Sequence, residues 1–342
     1  MVAITILGAG ITGMAIASQL PQDYKITILG KHLPGDPLNK DFASPWAGAC
    51  WVGVHVSSPQ DQKLQLDSFA ALWKLAKAYP ESGVRISDMT EILEYGSPED
   101  IWYRSKVPGF RLLRRDELPE AAKFGMTYKT VIISPPVFLS WMKSRLEARG
   151  VKFGRISVQS LGELKDFGHD VLINATGAQS KHLKDVSDST LVPYRLQSII
   201  MEKDYNQGYI YRGNNGYYFN MFGRPDGTTY VGGIKMLGSS DRTVYDSDRE
   251  LILSRGHQLL PDQLPSSNAN DYQILYDIAT TYSFRPQENG GARIEKEILD
   301  GQKVVHAYGQ EAGGYCFSFG LGRAATELVA DYIFELPTQS QL

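Results

Sequence analysis

The stretch from Val2 to Ala17 constrains the fold more than any other part of the chain. It begins with an apolar, β-branched run that is typical of a buried parallel strand. The run ends in the pattern G-x-G-x-x-G, formed by Gly8, Gly10 and Gly13, and a small-residue segment with helical periodicity follows. In such a turn the first glycine makes the tight bend, the second admits a pyrophosphate, and the third lets helix and strand pack closely. The sequence therefore predicts a dinucleotide site at a helix N-terminus.

Composition limits the class of protein and its partners. A chain of 342 residues is expected to form about two domains, and 42% hydrophobic with 21% charged residues is ordinary for a globular protein. The net charge of −3 and the isoelectric point near 6.1 give no basis for binding nucleic acid or an anionic membrane. The two cysteines, Cys50 and Cys316, are too few for a disulfide scaffold or a zinc site, so we expect free thiols and a reducing compartment.

Both ends of the chain bear on its localisation. No apolar run approaches the length of a membrane span, and the start lacks the basic region of a secretory signal, so we expect neither feature. The last residues, Ser340-Gln341-Leu342, are similar to the S-K-L peroxisomal signal but lack its basic middle residue. Two interpretations stay open: a tail that a peroxisomal import receptor recognises, and a frayed polar end. We expect the peroxisomal matrix, with the cytoplasm as the alternative.

Residues 25–29 predict a second strand whose end departs from the common dinucleotide fold. An acidic residue normally follows such a strand and binds the ribose, whereas this chain has Gly30-Lys31-His32. A basic pair at this place is also compatible with a 2′-phosphate. An NADP-dependent dehydrogenase is therefore an alternative interpretation.

Later segments repeat the α/β pattern, separated by stretches of another kind. Helices are predicted over about 60–79 and 134–150, and a buried strand ending in small residues over 170–178. From 191 to about 282 the chain is β-rich and aromatic, with a hairpin turn at 223–227. A last strand, a glycine-rich turn and a closing helix complete the pattern.

This order predicts two interleaved domains rather than two in tandem. The nucleotide-binding domain comprises residues 1–57, 130–190 and 286–342 and is α/β and Rossmann-like. The second domain comprises residues 58–129 and 191–285 and is a β-rich α+β unit.

Five short motifs occur in order along nearly the whole chain. They are Gly8–Gly13, Ser44–Ala49, Asn174–Gly177, Phe284–Pro286 and Tyr308–Tyr315. Together they resemble the flavoprotein D-amino acid oxidase family. The resemblance implies non-covalently bound FAD in the α/β domain and a substrate domain whose sheet covers the flavin. It also implies hydride transfer from a D-amino acid to flavin N5 and reoxidation by dioxygen, giving a 2-oxo acid, ammonia and hydrogen peroxide.

The resemblance also implies which residues contact FAD. The first turn would hold the pyrophosphate, Lys31 would lie by the ribose, and Val158 and Thr176 would lie by the adenosine. The implied set is Gly8, Ala9, Gly10, Ile11, Thr12, Gly13, Lys31, Ala43, Ser44, Gly48, Ala49, Cys50, Val158, Thr176, Gly313, Gly314, Tyr315, Phe317 and Ser318. The residues themselves agree on the C-terminal turn, because a glycine-rich entry to a helix favours the negative charge of reduced flavin.

Arg285 is the residue that the resemblance places on the substrate α-carboxylate. An arginine binds a carboxylate with two parallel hydrogen bonds, which a lysine does poorly. Taken alone, an arginine in a β-rich segment is more often a surface charge. The backbone carbonyl of Gly314 would accept a hydrogen bond from the substrate amine.

An aromatic wall is expected around residues 217–219. Relatives carry a tyrosine here, and the alignment that we favour puts Phe219 at that position, with Tyr218 as the neighbouring candidate. On this alignment a hydroxyl contact would be missing.

Arg212 and Lys235 resemble two basic positions of the D-aspartate oxidase branch. A second substrate carboxylate needs such a partner, because an unpaired buried charge costs several kcal/mol. We therefore expect a preference for D-aspartate and D-glutamate. Two solvated charges beside a hairpin, and with them a neutral or broad substrate preference, are the alternative.

No side chain is expected to act as a catalytic base, and no metal is expected. None of the six histidines lies in a convincing catalytic motif. A non-catalytic protein that retains a nucleotide-binding fold is a further alternative. The expected partners are a small D-amino acid and dioxygen; the oligomeric state, including a homo-oligomer, stays open.

Overall fold

The computed structural model describes residues 1–311 and 313–334, which form five α-helices and fourteen strands. The helices are α1 (Ile11–Gln19), α2 (Pro59–Ala78), α3 (Pro135–Ala148), α4 (Asp246–Leu259) and α5 (Gly314–Ile333). The strands are β1 (Ala3–Leu7), β2 (Lys25–Gly30), β3 (Val84–Leu93), β4 (Arg111–Leu112), β5 (Phe124–Ile133), β6 (Lys152–Arg155), β7 (Val171–Asn174), β8 (Val192–Glu202), β9 (Gln207–Arg212), β10 (Tyr218–Gly223), β11 (Thr228–Leu237), β12 (Ile274–Phe284), β13 (Arg293–Leu299) and β14 (Gln302–Tyr308).

A six-stranded sheet contains the N-terminal motif. Its order is β13-β14-β7-β1-β2-β6, and all neighbours are parallel except the edge pair β13 and β14. Strands β1 and β7 are buried on both faces, as central strands of a parallel sheet covered by helices must be. Leu7 pairs with both Leu29 and Asn174, so the carboxyl ends of β1, β2 and β7 meet at one edge. Ligands of parallel sheets bind at such an edge.

An eight-stranded sheet forms the second half of the structure. Its order is β12-β8-β11-β10-β9-β3-β5-β4, and its neighbours are antiparallel except the parallel pair β3 and β9. The predicted hairpin is present, since β10 ends at Gly223 and β11 starts at Thr228. Together the two sheets confirm the predicted fold class.

Helix α4 lies inside the segment that the sequence predicted to be β-rich, and this helix was not predicted. Ile252 and Leu253 of this helix are buried against Phe219 and Met221 of β10, on one face of the large sheet. The helix has few apolar residues, so its periodicity is weak, while Asp246 and Asp248 in its first turn favour a helix start. These acids were the signal that could have identified it.

The sheets divide the chain much as the predicted domains do. Every strand of the six-stranded sheet falls within 1–57, 130–190 or 286–342. However, β5 crosses the predicted boundary at 129/130. Helix α2 was assigned to the second domain but packs against α5, and the absence of a side chain at Gly320 lets the backbone of Leu64 approach closely. The domain boundaries therefore stay predictions.

Both cysteines are free, as predicted, and both are buried. The Cys316 thiol donates to the backbone carbonyl of Cys50 over 3.3 Å. Burial raises the pKa of Cys316 to about 11 and that of Cys50 well above its ordinary value, so both stay protonated thiols. Within the described residues, no helix is both long and apolar enough to cross a membrane. The tail Ser340-Gln341-Leu342 lies outside the described residues.

Candidate active site

A cavity of about 800 Å³ lies between the two sheets. One side is formed by the carboxyl ends of β1, β2 and β7 and by the N-termini of α1 and α5. The opposite side is formed by strands β8 to β12 of the large sheet. The predicted dinucleotide motif and the predicted substrate domain therefore face the same space.

Gly8 and Gly13 of the first turn have the backbone roles that their spacing predicts. Gly8 has φ of +121°, and a Cβ there would lie 2.2 Å from the carbonyl oxygen of Ala175. At Gly13 a Cβ would lie 1.9 Å from the carbonyl oxygen of Gly8, so only glycine lets α1 approach β1 this closely. Gly10 precedes the helix and lines the cavity, where a Cβ would lie 2.8 Å from the hydroxyl of Ser44. This turn leaves room for a phosphate beside the backbone.

The N-terminus of α5 meets that of α1 across the cavity. Gly313 precedes α5 with φ of +114°, and a Cβ at Gly314 would lie 2.9 Å from the side chain of Ile11. The Gln310 amide donates to the Thr12 hydroxyl over 3.1 Å, which ties the two helix starts together. Neither helix has an acidic residue in its first turn. Two positive helix ends therefore face one cavity, an arrangement that favours an anionic ligand.

Lys31 lies at the far end of the cavity and is already paired. Its ammonium lies 2.9 Å from Asp41, which also lies 2.7 Å from Arg242. These two cations are the main reason that the pKa of Asp41 falls to about 2. Lys31 is therefore engaged by an acidic side chain and is not free for a 2′-phosphate.

Strand β10 presents alternate residues to the cavity. Tyr218, Asn220 and Phe222 line it, whereas Phe219 and Met221 point to the other face and pack under α4. This follows from the two-residue period of a strand. The structure does not bring Phe219 to the cavity, in contrast to the alignment favoured above, and Tyr218 supplies the aromatic side chain with a hydroxyl.

Lys235 reaches the cavity through a β-bulge. In the pairing of β11 with β8, the register shifts between Gly232 and Ile234, which adds one residue to β11. Such a shift moves the following side chains to the opposite face, and Lys235 lines the cavity as a result. Its ammonium lies 3.3 Å from the centroid of the Tyr218 ring. Within residues 1–311 and 313–334 the Lys235 ammonium forms no ion pair. Burial is the main cause that lowers the pKa of Lys235 to about 7, and the nearby positive charge of Arg212 is the second cause.

Arg212 also lines the cavity, but its charge is compensated. Its Nε and Nη2 both lie 3.2 Å from Oε2 of Glu91, which is fully buried. The other carboxylate oxygen of Glu91 accepts hydrogen bonds from Tyr103 (2.7 Å) and Tyr128 (2.6 Å). Burial would raise the pKa of Glu91, but the Arg212 charge, His55 and the two hydroxyls outweigh it and hold that pKa below its ordinary value. Glu91 is therefore ionised.

Arg285 is engaged outside the cavity lining. Its Nε donates to the Thr190 hydroxyl over 3.1 Å and lies 3.4 Å from Asp188, while Nη2 donates to the carbonyl of Asn289 over 2.9 Å. The aliphatic part of its side chain packs beside Gly309, which does line the cavity. The guanidinium is thus next to the cavity but turned toward Asp188.

Comparison with known proteins identifies the family. A model of the DAO family, described as FAD dependent oxidoreductase, matches residues 3–328. The chain belongs to the DAO family. A D-aspartate oxidase from Talaromyces thermophilus is 28% identical over 360 residues, covering 95% of this chain and 94% of that protein. A D-amino-acid oxidase from Schizosaccharomyces pombe is 29% identical over 332 residues, covering 93% of each.

Solved structures agree on the DAO fold. Glycine oxidase from Geobacillus kaustophilus superposes with a TM-score of 0.71 at 18% identity, covering 99% of this chain and 96% of that one. L-proline dehydrogenase from P. horikoshii gives a TM-score of 0.72 at 16% identity, covering 96% and 93%. At these identities the likeness concerns the fold alone.

FAD is the cofactor of this DAO-family chain, and the cavity fits it. The glycine turn and the N-termini of α1 and α5, which have no acidic residue in their first turns, provide for a diphosphate and for an anionic ring system. The alternative of an NADP-dependent dehydrogenase is wrong, since the family match specifies a flavin. Of the predicted contact residues, those lining the cavity are Gly8, Ala9, Gly10, Ile11, Thr12, Lys31, Ala43, Ser44, Gly48, Ala49, Cys50, Val158, Thr176, Gly313, Gly314 and Tyr315.

Three predicted FAD residues do not line the cavity. Gly13 lies behind the turn against Gly8, and Phe317 and Ser318 are buried in the first turns of α5, where the Ser318 hydroxyl donates to the carbonyl of Tyr315. Their direct contact with FAD stays a prediction.

Sequence reasoning missed the residues behind the cavity wall. Glu91, Tyr103 and Tyr128 were not singled out, because nothing local connects them to Arg212. Arg224 was also missed: it is buried, and its Nη2 donates to the carbonyl of Ala47 over 2.9 Å, which holds the cavity loop against the hairpin turn.

Proposed function

We propose that this protein oxidatively deaminates D-amino acids and prefers acidic ones, D-aspartate and also D-glutamate. The observation that carries the preference is Lys235, a cation that faces the cavity without an anionic partner among the described residues. The printed activities of the two relatives, D-aspartate oxidase and D-amino-acid oxidase, support the reaction class. The products would be a 2-oxo acid, ammonia and hydrogen peroxide.

Bound FAD supplies the two-electron oxidation of the substrate Cα–H and passes the electrons to dioxygen. The protein's task is to position the substrate. No described histidine lines the cavity near Tyr218 and Lys235: His55 is bound to Tyr103 over 3.2 Å, and burial lowers its pKa to about 4. The proposal therefore assigns no side chain as a base.

Arg285 is our candidate for the α-carboxylate. Its guanidinium lies beside Gly309 at the cavity edge and now pairs with Asp188. A substrate carboxylate would compete with Asp188 for the same N–H groups, and two parallel hydrogen bonds would hold it. The carbonyl of Gly314, at the start of α5, is the candidate acceptor for the amine.

The second carboxylate would meet Lys235 and the free N–H groups of Arg212. Arg212 has Nη1 unused by Glu91, while Nε and Nη2 are engaged. Tyr218 lies under both cations, with its ring centroid 3.3 Å from the Lys235 ammonium and 5.9 Å from the Arg212 guanidinium. This arrangement would fix a carboxylate at the end of the substrate away from Cα.

A neutral or broad preference is the second candidate. The pKa of Lys235 of about 7 favours it, because the lysine is then uncharged in a sizeable fraction of the free enzyme at neutral pH. An uncharged Lys235 would accept a neutral side chain without leaving a buried cation unpaired.

Comparing D-aspartate with D-asparagine separates these candidates. The two differ only in a carboxylate against an amide of nearly the same shape. A charge-assisted hydrogen bond contributes roughly 1.5–3 kcal/mol, so kcat/KM for D-aspartate should exceed that for D-asparagine by about ten- to a hundredfold. Equal values, measured as peroxide release at pH 6.5, would favour the neutral preference.

A further inference from the structure

Glu91 has no part in the proposed reaction, yet a set of donors converges on it. It is fully buried and does not line the cavity. One carboxylate oxygen accepts from Tyr103 and Tyr128, and the other faces Arg212 at 3.2 Å, with His55 at 3.9 Å. An ionised carboxylate without solvent is costly unless it has such partners.

The strand register places Glu91 directly behind Arg212. The parallel pairing of β3 with β9 sets Glu91 opposite Ile210 and Leu93 opposite Arg212. Residues two apart on a strand share a face, so Glu91 lies diagonally next to Arg212 on the face that Ile210 and Arg212 present to the cavity. Arg212 thus touches Glu91 with one side and the cavity with the other. While Arg212 is in place, Glu91 acts on a ligand through Arg212 and does not touch the ligand directly.

The charges at this end of the cavity do not cancel. Glu91 and Arg212 form a pair with no net charge, and Lys235 adds one positive charge when protonated. The groups that face Lys235 are Arg212 from β9, Tyr218 from β10, Cys50 from the loop before α2, and Glu311 before α5. Burial, and next the negative Asp61, raise the pKa of Glu311, and in the described residues this carboxyl forms no ion pair with Lys235. Among the ion pairs at this end of the cavity, Lys235 therefore leaves one positive charge for one carboxylate.

We propose that Glu91 is a positioning and specificity-determining residue: it neutralises and holds Arg212, so that Lys235 is the single net cation that selects a substrate with a second carboxylate. This inference rests on the proposed function. Without Glu91, two uncompensated cations would adjoin in a buried site, and Lys235 would lose its proton more readily. Without Arg212 but with Glu91, a bare buried carboxylate would face the substrate's second carboxylate and repel it.

A double variant that removes both charges of the pair, Glu91→Gln with Arg212→Met, tests the role of Glu91. Arg212→Met alone should lower kcat/KM for D-aspartate by about ten- to a hundredfold, because it removes the Arg212 contact with the second carboxylate and also leaves Glu91 unpaired. Glu91→Gln with Arg212→Met restores the wild-type net charge and should recover the part of that loss that comes from the unpaired carboxylate, at least about fivefold. Both partners of the pair are removed together, so the double variant leaves no buried charge unpaired and its folding is protected.

Glu91→Gln alone tests the second consequence. The fall of D-aspartate kcat/KM at high pH should begin at lower pH than in the wild type, because the uncompensated Arg212 repels the proton of Lys235. The corresponding D-alanine profile should not move. Glu94→Gln is the matched control: Glu94 lies on the same segment and accepts from Tyr211 over 2.6 Å, but it forms no ion pair with Arg212 in the described residues. It should leave the D-aspartate to D-alanine ratio and the pH profile unchanged.

Three results would overturn the assignment. The first is a double variant whose kcat/KM for D-aspartate is no higher than that of Arg212→Met. Glu91→Gln could lower D-aspartate and D-alanine turnover in parallel with no change of pH profile, which would make Glu91 a support of the fold. The third is that Glu91→Gln changes neither the turnover of the two substrates nor the pH profile. A wild type without preference for D-aspartate over D-asparagine would instead overturn the proposed specificity, together with the role that Glu91 takes from it.

Discussion

The ammonium of Lys235 lies 3.3 Å from the centroid of the Tyr218 ring. A ring face attracts a cation but supplies no negative charge, so the lysine is held in place without being neutralised. Buried in this way beside Arg212, it has its pKa lowered to about 7. The cavity therefore contains a cation whose charge depends on pH near neutrality.

We expect the preference for acidic substrates to depend on pH. The pKa of Lys235 lies below its unfolded value, so the cation is present below pH 7 and is lost as the pH rises. The ratio of kcat/KM for D-aspartate to that for D-alanine should be highest near pH 6. Above the pKa of Lys235 in the free enzyme, this ratio should fall by up to roughly tenfold for each pH unit. The ratio cancels the titration of the substrate amine, which the two substrates share. A ratio that stays constant from pH 6 to 9 would exclude Lys235 as the discriminating cation.

Lys235→Met should remove the preference and its pH dependence together. Methionine keeps most of the volume and the apolar contact with Tyr218 but carries no charge. Loss of one charge-assisted contact lowers kcat/KM for D-aspartate by about ten- to a hundredfold, while that for D-alanine should hold or rise. Combined with Arg212→Met the losses should be less than additive, because both cations serve one carboxylate. A parallel drop for both substrates would show that Lys235 only supports the fold.

Arg285→Ala should raise KM for every amino acid substrate, acidic or neutral. All of them share the α-carboxylate, and an arginine contact to it contributes roughly 1.5–3 kcal/mol, or about ten- to a hundredfold in KM. Arg285→Lys should recover only part, since a point charge replaces a two-pronged donor. Steady-state kinetics on D-aspartate and D-alanine provide the measurement, with Arg293→Lys as a control arginine from the adjacent network. An unchanged KM in Arg285→Ala would leave the guanidinium as a structural partner of Asp188.

The local elements of this fold could be predicted from the sequence because their causes are local. The strand, turn and helix around Gly8 and Gly13 follow from side-chain periodicity and from backbone crowding within a few residues. The helix that begins at Pro135 and the hairpin after Gly223 likewise carry their own start and turn signals.

The substrate end could not be predicted to the same degree because its causes are distant in the chain. Whether Tyr218 or Phe219 faces the cavity depends on strand register, although the alternation of Tyr218 and Asn220 with Phe219 and Met221 was a usable signal. Lys235 faces inward only because of the bulge at Gly232–Ile234. The partner of Arg212, Glu91, is brought to it by the pairing of β3 with β9, strands separated by more than a hundred residues.

Substitutions at Gly13 and Gly10 of the first turn should affect different properties, the first the stability of the fold and the second the retention of FAD. Gly13→Ala places a Cβ 1.9 Å from a backbone carbonyl oxygen, which cannot move without the strand, and should cost roughly 3 kcal/mol or more. Gly10→Ala meets only the Ser44 hydroxyl, so its fold should survive while its retention of FAD falls. Unfolding temperature and the flavin-to-protein absorbance ratio of each purified variant test this. Equal flavin content in Gly10→Ala and the wild type would contradict a phosphate site at this turn.

Peroxide release across a panel of amino acids tests the central claim most directly. The purified protein, saturated with FAD, is given D-aspartate, D-glutamate, D-alanine and the three L-forms at pH 6.5, and peroxide and ammonia are measured together. The account predicts equimolar peroxide and ammonia from D-forms, the highest kcat/KM for D-aspartate, and no turnover of L-forms. Turnover of L-forms, or a higher kcat/KM for D-alanine than for D-aspartate, would contradict it.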